Sequence, residues 1–128
     1  MKFYVATRLQ ENARPVRDAL VAAGHVCTAT WIDEAGYGLG SATMGSKTPV
    51  EKAAIAARDD FEIRASDALV LVSEPDGAYV PGGKHVETGI AIGLDKPVYV
   101  VGKAENVFHW HPLVTRYADV PALLEALS

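Results

Sequence analysis

The sequence predicts a single α/β domain over residues 1–128, with a parallel β-sheet covered by helices on both faces. Short apolar segments rich in β-branched residues recur along the chain, and segments with helical spacing of their apolar residues separate them. Strands that alternate with helices form right-handed βαβ units, which place the helices on both faces of the sheet. A chain of 128 residues is long enough for one hydrophobic core.

The first quarter of the chain predicts a strand, a helix and a second strand. Lys2 to Ala6 is short and apolar, as expected of a buried first strand. Apolar residues at i, i+3, i+4 and i+7 from Val16 predict a helix, with Asn12 as its N-cap and Gly24 just after its end. His25 to Trp31 contains alternating Val and Thr residues and predicts the second strand.

A long polar stretch, Ile32 to Lys47, predicts a loop, and loops of this length in compact domains are usually functional or mobile. The next helix has a marked start. Thr48 is its N-cap and Glu51 completes a capping box, with proline at the first helical position. We expect this helix to run to about Ala65.

The second half predicts three more strands and two more helices. Ala68 to Val72 is a continuous apolar run, typical of a strand buried on both faces. The predicted segments are a strand over Asp67 to Ser73, a loop over Glu74 to Gly83, a helix over Lys84 to Leu94, a strand over Pro97 to Val101, an irregular segment over Gly102 to Pro112, a strand over Val114 to Tyr117, and a helix over Pro121 to Leu127 capped by Asp119.

Five strands in such a chain favour a three-layer, doubly wound, flavodoxin-like sheet with the order 2-1-3-4-5. In that order the topological switch point lies between strands one and three, where folds of this type bind ligands. The segments that follow these two strands are Thr7 to Asn12 and Glu74 to Glu87.

The segment Pro81 to Gly89 therefore falls at the predicted ligand site. It contains two consecutive glycines, Gly82 and Gly83, which let backbone N–H groups approach a ligand at a helix N-terminus. Glu87 is expected in the first helical turn, where the helix dipole favours an ionised carboxylate. The alternative is that Glu87 serves only this helix-terminal role.

Composition limits the functions that are open to the chain. The net charge is −4 without a basic cluster, which argues against nucleic-acid polymers as partners. No apolar run approaches the roughly 20 residues that a membrane helix needs. The single Cys27 excludes an internal disulfide, and we expect a cytoplasmic location. Dinucleotide-binding, P-loop, nucleophile-elbow and metal-ligand motifs are absent, so we expect no cofactor and no metal.

Acidic residues around the glycine-rich turn resemble those of a known enzyme family. Asp59, Asp67 eight residues later, and the segment Gly82 to Gly89 resemble the nucleoside 2-deoxyribosyltransferase family and the related 2′-deoxynucleoside 5′-phosphate N-hydrolases. The similarity extends over nearly the whole chain, including Lys96-Pro97-Val98. It implies a five-stranded parallel α/β fold and cleavage of the N-glycosidic bond of a nucleoside or nucleotide.

The resemblance also implies roles for individual residues. Glu87 matches the catalytic glutamate that attacks C1′ of the sugar, and Asp59 matches a second catalytic acid that assists departure of the base. Asp59 also lies on the apolar stripe of its helix, where burial favours the neutral acid; the alternative is that it pairs with Arg58 or Arg64. Pro81 stands where the transferases have an aspartate, for which Asp76 is a possible substitute.

Further residues are expected to bind substrate. The resemblance implies Asp67 as a supporting acid, and the alternative is that it caps a turn. The serine that often holds a 5′-phosphate in the relatives is missing, and its possible replacements are Lys84, Arg8 and the glycine backbone. In the relatives, the segment that corresponds to residues 105–111 reaches the active site of a neighbouring subunit. The expected substrate-binding residues are Tyr4, Thr7, Arg8, Trp31, Asp67, Gly82, Gly83, Lys84, Asn106 and His109. The expected partners are a small nucleoside or nucleotide and further copies of this chain in a homodimer or larger homo-oligomer.

Three questions stay open at this level. The sugar is transferred either to a second base or to water. The turn Pro81-Gly82-Gly83 is also similar to that of the phosphoribohydrolases that release cytokinin bases, although His85-Val86 replaces their Gly-Thr. A non-catalytic module that senses a nucleotide or nucleotide-sugar is the alternative from a different class.

Overall fold

A computed structural model describes residues 1–35, 47–78 and 82–128 of the chain. Five strands form one parallel sheet in the order β2-β1-β3-β4-β5, which confirms the predicted flavodoxin-like α/β class and strand order. The strands are β1 (Lys2–Ala6), β2 (Val26–Cys27), β3 (Ala68–Val72), β4 (Val98–Val101) and β5 (Val114–Tyr117).

Four α-helices and two 3-10 helices lie within the described residues. They are α1 (Gln10–Ala22), α2 (Pro49–Ala65), α3 (Gly83–Gly93) and α4 (Val120–Leu127), with 3-10 helices at Thr30–Asp33 and Val107–Trp110. Helices α2 and α3 pack against each other, while α1 contacts α4. These pairs are expected on opposite faces of the sheet, because the crossover from β1 to β2 runs across the sheet in one direction and the next two crossovers run in the other.

The core is centred on the two middle strands, β1 and β3. Phe3, Val5, Leu69 and Leu71 are fully buried, and the two strands pair from Phe3 opposite Ala68 to Ala6 opposite Leu71. Strands buried on both faces have near-continuous apolar sequences, as these have. The ends of β1 and β3 are thereby fixed side by side, where the loops that follow them meet.

Local capping signals fix several helix ends. The capping box of Thr48 and Glu51 forms at the start of α2, and the side chain of Asp119 accepts a hydrogen bond from the Ala122 N–H at the start of α4. Gly24 follows the end of α1 with a φ of +93°, a conformation that favours glycine. All three predictions are confirmed.

Two predictions in the first quarter of the chain are wrong. The second strand ends at Cys27, and Trp31 lies on a 3-10 helix. The chain leaves the sheet there because the backbone N–H and the hydroxyl of Thr30 both donate to the Glu62 carboxylate. Helix α1 begins at Gln10, with Leu9 as its N-cap, so Asn12 lies inside the helix.

Some predictions lie outside the described residues. They concern most of the predicted loop after Ile32, residues 36–46, and Pro81, which belongs to residues 79–81. Within the described residues, no helix combines the length and the apolar character that crossing a bilayer requires.

Candidate active site

Glu87 lies in the second turn of α3 and points its carboxylate at the middle of β1. Its Oε2 accepts a hydrogen bond from the hydroxyl of Tyr4, which is fully buried. The expected position in the first turn is wrong, because the helix begins at Gly83. Burial raises the pKa of Glu87 to about 7, and the Tyr4 hydrogen bond opposes that rise. The carboxylate is held by a side chain rather than by the helix end.

Tyr4, which was expected to bind substrate, contacts Glu87 instead. Its ring is part of the core, so only its hydroxyl group serves the site. Burial and the nearby charges of Glu87 and Asp59 raise the pKa of Tyr4 above its ordinary value, so it remains a hydrogen-bond donor. Tyr4 therefore positions Glu87.

Asp59 reaches the same site from α2. It is half-buried, with 22% of its side chain exposed, and its Oδ1 accepts hydrogen bonds from Arg58. Burial raises the pKa of Asp59, and the Arg58 guanidinium opposes this. The sequence left open whether Asp59 is catalytic or pairs with Arg58. In the structure Asp59 does pair with Arg58, and its charge also raises the pKa of Glu87.

Two further acids, which the sequence did not single out, complete the surroundings. Glu62 lies one turn after Asp59 on α2 and accepts hydrogen bonds from Thr30, and Glu34 contacts Arg58 from the other side. The negative charge of Glu62 raises the pKa values of both Asp59 and Glu87. The i, i+3 spacing of Asp59 and Glu62 was the sequence signal for this cluster.

The switch point between β1 and β3 holds a buried ion cluster. Glu74 accepts hydrogen bonds from the Thr7 hydroxyl and the Arg8 backbone N–H, at 3.3 and 3.2 Å. Lys84 Nζ lies 3.4 Å from Glu74 Oε1 and 2.7 Å from Glu105 Oε1. All three charged side chains are at most 3% exposed. Thr7 and Lys84 thus tie the ends of the two strands together.

This cluster changes the expected role of Lys84. Its charge is already shared by two carboxylates in the core, so it is not available to a substrate phosphate. Arg8 remains: its buried Nε has no hydrogen-bond partner within the described residues. Gly82 and Gly83 lie at the start of α3, and a Cβ at either would meet no atom within 4 Å.

Three residues that were expected at or near the site have other partners in the structure. Asp67 directly precedes β3, and its Oδ2 accepts a hydrogen bond from the Lys2 N–H at the start of β1, at 2.7 Å, so it has a backbone partner in place of the expected substrate contact. Asp76 pairs with Lys103 and is almost fully exposed. Trp31 is buried, and its indole N–H donates to the Val5 carbonyl at 3.0 Å, so its side chain is part of the core.

Asn106 and His109 lie on the far side of α3 from Glu87. A cavity of about 350 Å³ lies between them and the face of α3 that carries His85 and Ile92. His109 is fully buried and its Nδ1 accepts the Glu105 N–H at 2.9 Å, while the Asn106 amide contacts His85 Nδ1. Within one chain, these two residues are therefore not brought together with Glu87.

The described residues contain no group of three or more His, Cys, Asp or Glu side chains arranged to hold a metal ion. The acids of the site have a different arrangement. Asp59 and Glu87 lie on two helices that pack together, and the charge of Asp59 raises the pKa of Glu87. Arg58 donates to Asp59, and the Tyr4 hydroxyl donates to Glu87. Such a pair can supply one ionised and one protonated carboxyl group, as acid–base chemistry requires.

Comparison with known proteins defines the class of fold. No family model matches the sequence, and no curated protein matches it. Among solved structures, the Clostridium botulinum CMP N-glycosidase BcmB has the same fold, with a TM-score of 0.61 over 99% of this chain and 98% of that one, at 14% sequence identity. The fold that the resemblance implied is therefore confirmed.

Proposed function

We propose that this chain is an enzyme that cleaves the N-glycosidic bond between the sugar and the base of a nucleoside or nucleotide. The observation that carries the proposal is the Glu87 carboxylate, held by the Tyr4 hydroxyl opposite Asp59. The fold supports the proposal, because a CMP N-glycosidase shares it over 99% of this chain. Carboxylate pairs that flank a glycosidic bond are the usual catalysts of its cleavage.

The proposed first step forms one bond and breaks another. An oxygen of ionised Glu87 bonds to C1′ of the sugar, while the C1′–N bond breaks and its electron pair leaves with the base. Asp59 donates a proton to that base, which makes it a better leaving group. The products of this step are a glycosyl-enzyme ester at Glu87, a neutral base and an ionised Asp59.

In the second step, water or another base attacks C1′ and releases Glu87 as a carboxylate. Asp59, now ionised, accepts the proton that the attacking group loses, which restores the starting state. Transfer to a base and hydrolysis differ only in this acceptor. An assay of free base release, with and without a second base, distinguishes them.

The substrate in this proposal is a small molecule that enters at the ends of β1 and β3. Arg8 and the backbone of Gly82 and Gly83 are the groups proposed to contact a 5′-phosphate, because Lys84 is neutralised by Glu74 and Glu105. A panel of nucleosides and their 5′-monophosphates tests this directly, with free base measured by chromatography.

The proposal includes a homo-oligomer. Val50 and Phe61 on α2, Val86 on α3, and Phe108 and Trp110 on the second 3-10 helix are all more than 60% exposed. Large apolar side chains that are exposed to this degree are typical of contacts between proteins, so they favour contact with another copy of the chain. Asn106, beside the same surface, is then the residue proposed to approach a neighbouring site.

The decisive experiment measures free base from the panel with the wild-type protein and with Glu87→Gln. We expect base release by the wild type and a loss of at least about a thousandfold in the variant, since the nucleophile is removed. Binding by the wild type without release of any base would favour the nucleotide sensor instead. Unchanged activity in the variant would refute the mechanism.

A further inference from the structure

Arg58 donates hydrogen bonds to Asp59, the next residue on α2, a contact that helical geometry alone does not favour. Neighbouring helical residues point roughly 100° apart, so adjacent side chains do not normally face each other. Nevertheless Nε and Nη2 of Arg58 both donate to Oδ1 of Asp59, at 3.1 and 3.0 Å. The guanidinium is folded back along the helix towards its neighbour.

Glu34 accounts for this orientation. It lies directly after the first 3-10 helix, and its carboxylate contacts the other edge of the guanidinium, with Nη1–Oε1 at 3.1 Å and Nη2–Oε2 at 3.2 Å. The planar guanidinium group suits such two-point contacts with a carboxylate. Arg58 is thus held between Glu34 and Asp59, with 30% of its side chain exposed.

The contact uses only one oxygen of Asp59. Oδ1 accepts both donors from Arg58, and Oδ2 has no hydrogen bond from the described residues. An oxygen that already accepts two N–H groups is a poor place for a proton. When Asp59 is protonated, the proton therefore belongs on Oδ2.

We propose that Arg58 is a positioning residue of the reaction: it occupies Oδ1 of Asp59, so that Oδ2 carries the proton and delivers it to the departing base. Glu34 holds Arg58 in place. The inference rests on the proposed function, since it assigns the direction from which that function's proton comes. Beyond the proposed function, Arg58 and Glu34 gain a role in the reaction, and Oδ2 of Asp59 is the atom that carries the proton.

The electrostatic surroundings agree with a balancing role for Arg58. Asp59 is faced by Glu62 on its own helix, Glu87 on α3, Glu34 after the 3-10 helix and the phenol of Tyr4 on β1. Burial and the negative charges of Glu62 and Glu34 raise the pKa of Asp59, and Arg58 opposes them. Removing Arg58 should therefore increase protonation of Asp59 while its orientation is lost.

The test compares Arg58→Gln with Arg64→Gln, a control on the same helix whose arginine pairs with exposed Asp60. Activity is measured on a nucleoside and on a nitrophenyl glycoside of the same sugar, whose leaving group needs no proton. We expect Arg58→Gln to lose about a hundredfold in kcat on the nucleoside and about twofold on the nitrophenyl substrate. Glu34→Gln should lower kcat on both substrates in the same direction as Arg58→Gln, and Arg64→Gln should change kcat on neither substrate.

An equal loss on the two substrates, or no loss on the nucleoside, would overturn the inference. Glu87→Gln should abolish both activities, so a failure of the proposed function is recognised separately. A measurement without turnover decides in every case: the ¹³C-carboxyl titration of Asp59 by NMR. The pKa of Asp59 should be higher in Arg58→Gln than in the wild type and unchanged in Arg64→Gln; an unchanged value in Arg58→Gln would refute the inference.

Discussion

At the scale of single residues, the chemistry depends on the ionisation of Glu87. Its pKa is raised from an ordinary 4.5 to about 7 by burial, with Asp59 and Glu62 adding to the rise. A carboxylate that attacks carbon must be ionised. The ionised fraction of Glu87 should therefore increase as the pH rises through about 7, which sets the acidic limb of the pH profile. The basic limb is set by Asp59, because the departing base needs its proton.

Tyr4→Phe tests this dependence. The Tyr4 hydroxyl donates to Glu87 and lowers its pKa, so its removal should raise that pKa and move the acidic limb of kcat/KM to higher pH. At pH 7 we expect a loss of about tenfold, the size of one hydrogen bond to a charged group.

The control for this variant is Tyr99→Phe, which removes the hydroxyl of a partly buried tyrosine on β4. Its pH profile should match that of the wild type. If Tyr4→Phe left the acidic limb in place, or moved it to lower pH, the assignment of Tyr4 as the partner of the ionised nucleophile would be wrong.

At the scale of elements, α3 is the helix that connects the site to the sheet. Lys84 anchors its first turn to Glu74 after β3 and to Glu105 after β4, and all three side chains are buried. Burial opposes the ionised form of Glu105, but Lys84 and the Glu74 N–H together keep the pKa of Glu105 low. The start of α3, and with it Glu87, is thus fixed by charge pairing.

Lys84→Met tests that anchor. It leaves two buried carboxylates without their cation, which should cost about 3–5 kcal/mol of unfolding free energy. A loss of that size should lower Tm by on the order of 10 °C, measured by calorimetry at pH 7.

Lys103→Met is the matched control, because Lys103 pairs with exposed Asp76 at the surface. Its Tm should stay close to that of the wild type. Equal Tm values for the two variants would contradict the account of the buried cluster.

Most elements could be predicted from local signals, and the exceptions have physical causes. The apolar run of β3 and the capping box of α2 needed no tertiary information. The early end of β2 could not be predicted without tertiary information, because Thr30 lies outside the sheet and bonds with Glu62, 32 residues away. The sequence did not distinguish the roles of Asp67 and Glu87 either, because nothing local indicates that Asp67 accepts from the Lys2 N–H and Glu87 from the Tyr4 hydroxyl.

The candidate site divides in the same way. Glu87 and Asp59 were expected from the sequence, and in the structure the charge of Asp59 raises the pKa of Glu87. The roles of Tyr4 and Lys84 were not expected, since both side chains are buried and their partners lie ten or more residues away in the sequence. Arg58 was noted only as a possible partner of Asp59, and its second contact, with Glu34, depends on the fold.

At the scale of the whole molecule, the exposed apolar side chains of α2 and α3 bear on the proposed assembly. Phe61 is 71% exposed in the single chain, and an aromatic side chain that becomes buried between two copies is expected to be a hot spot of the interface. Phe61→Glu should shift the chain towards a smaller species in sedimentation velocity. A wild-type monomer, or a variant with unchanged size, would refute the proposed homo-oligomer.

Val21→Glu provides the control for this variant. Val21 is 50% exposed on α1, away from α2 and α3, so its substitution adds the same charge elsewhere. Its sedimentation should match that of the wild type. Base release by Phe61→Glu further tests whether a neighbouring copy contributes to the site.

The central claim is that Glu87 forms a covalent bond to the sugar, and trapping that intermediate tests it most directly. A nucleoside with a 2′-fluoroarabinosyl sugar destabilises the oxocarbenium-like transition states and slows the second step, so the ester should accumulate. Intact-mass and peptide mass spectrometry should then locate one fluorosugar on Glu87, with one equivalent of base released. Base release without an adduct, or an adduct on another residue, would contradict the account.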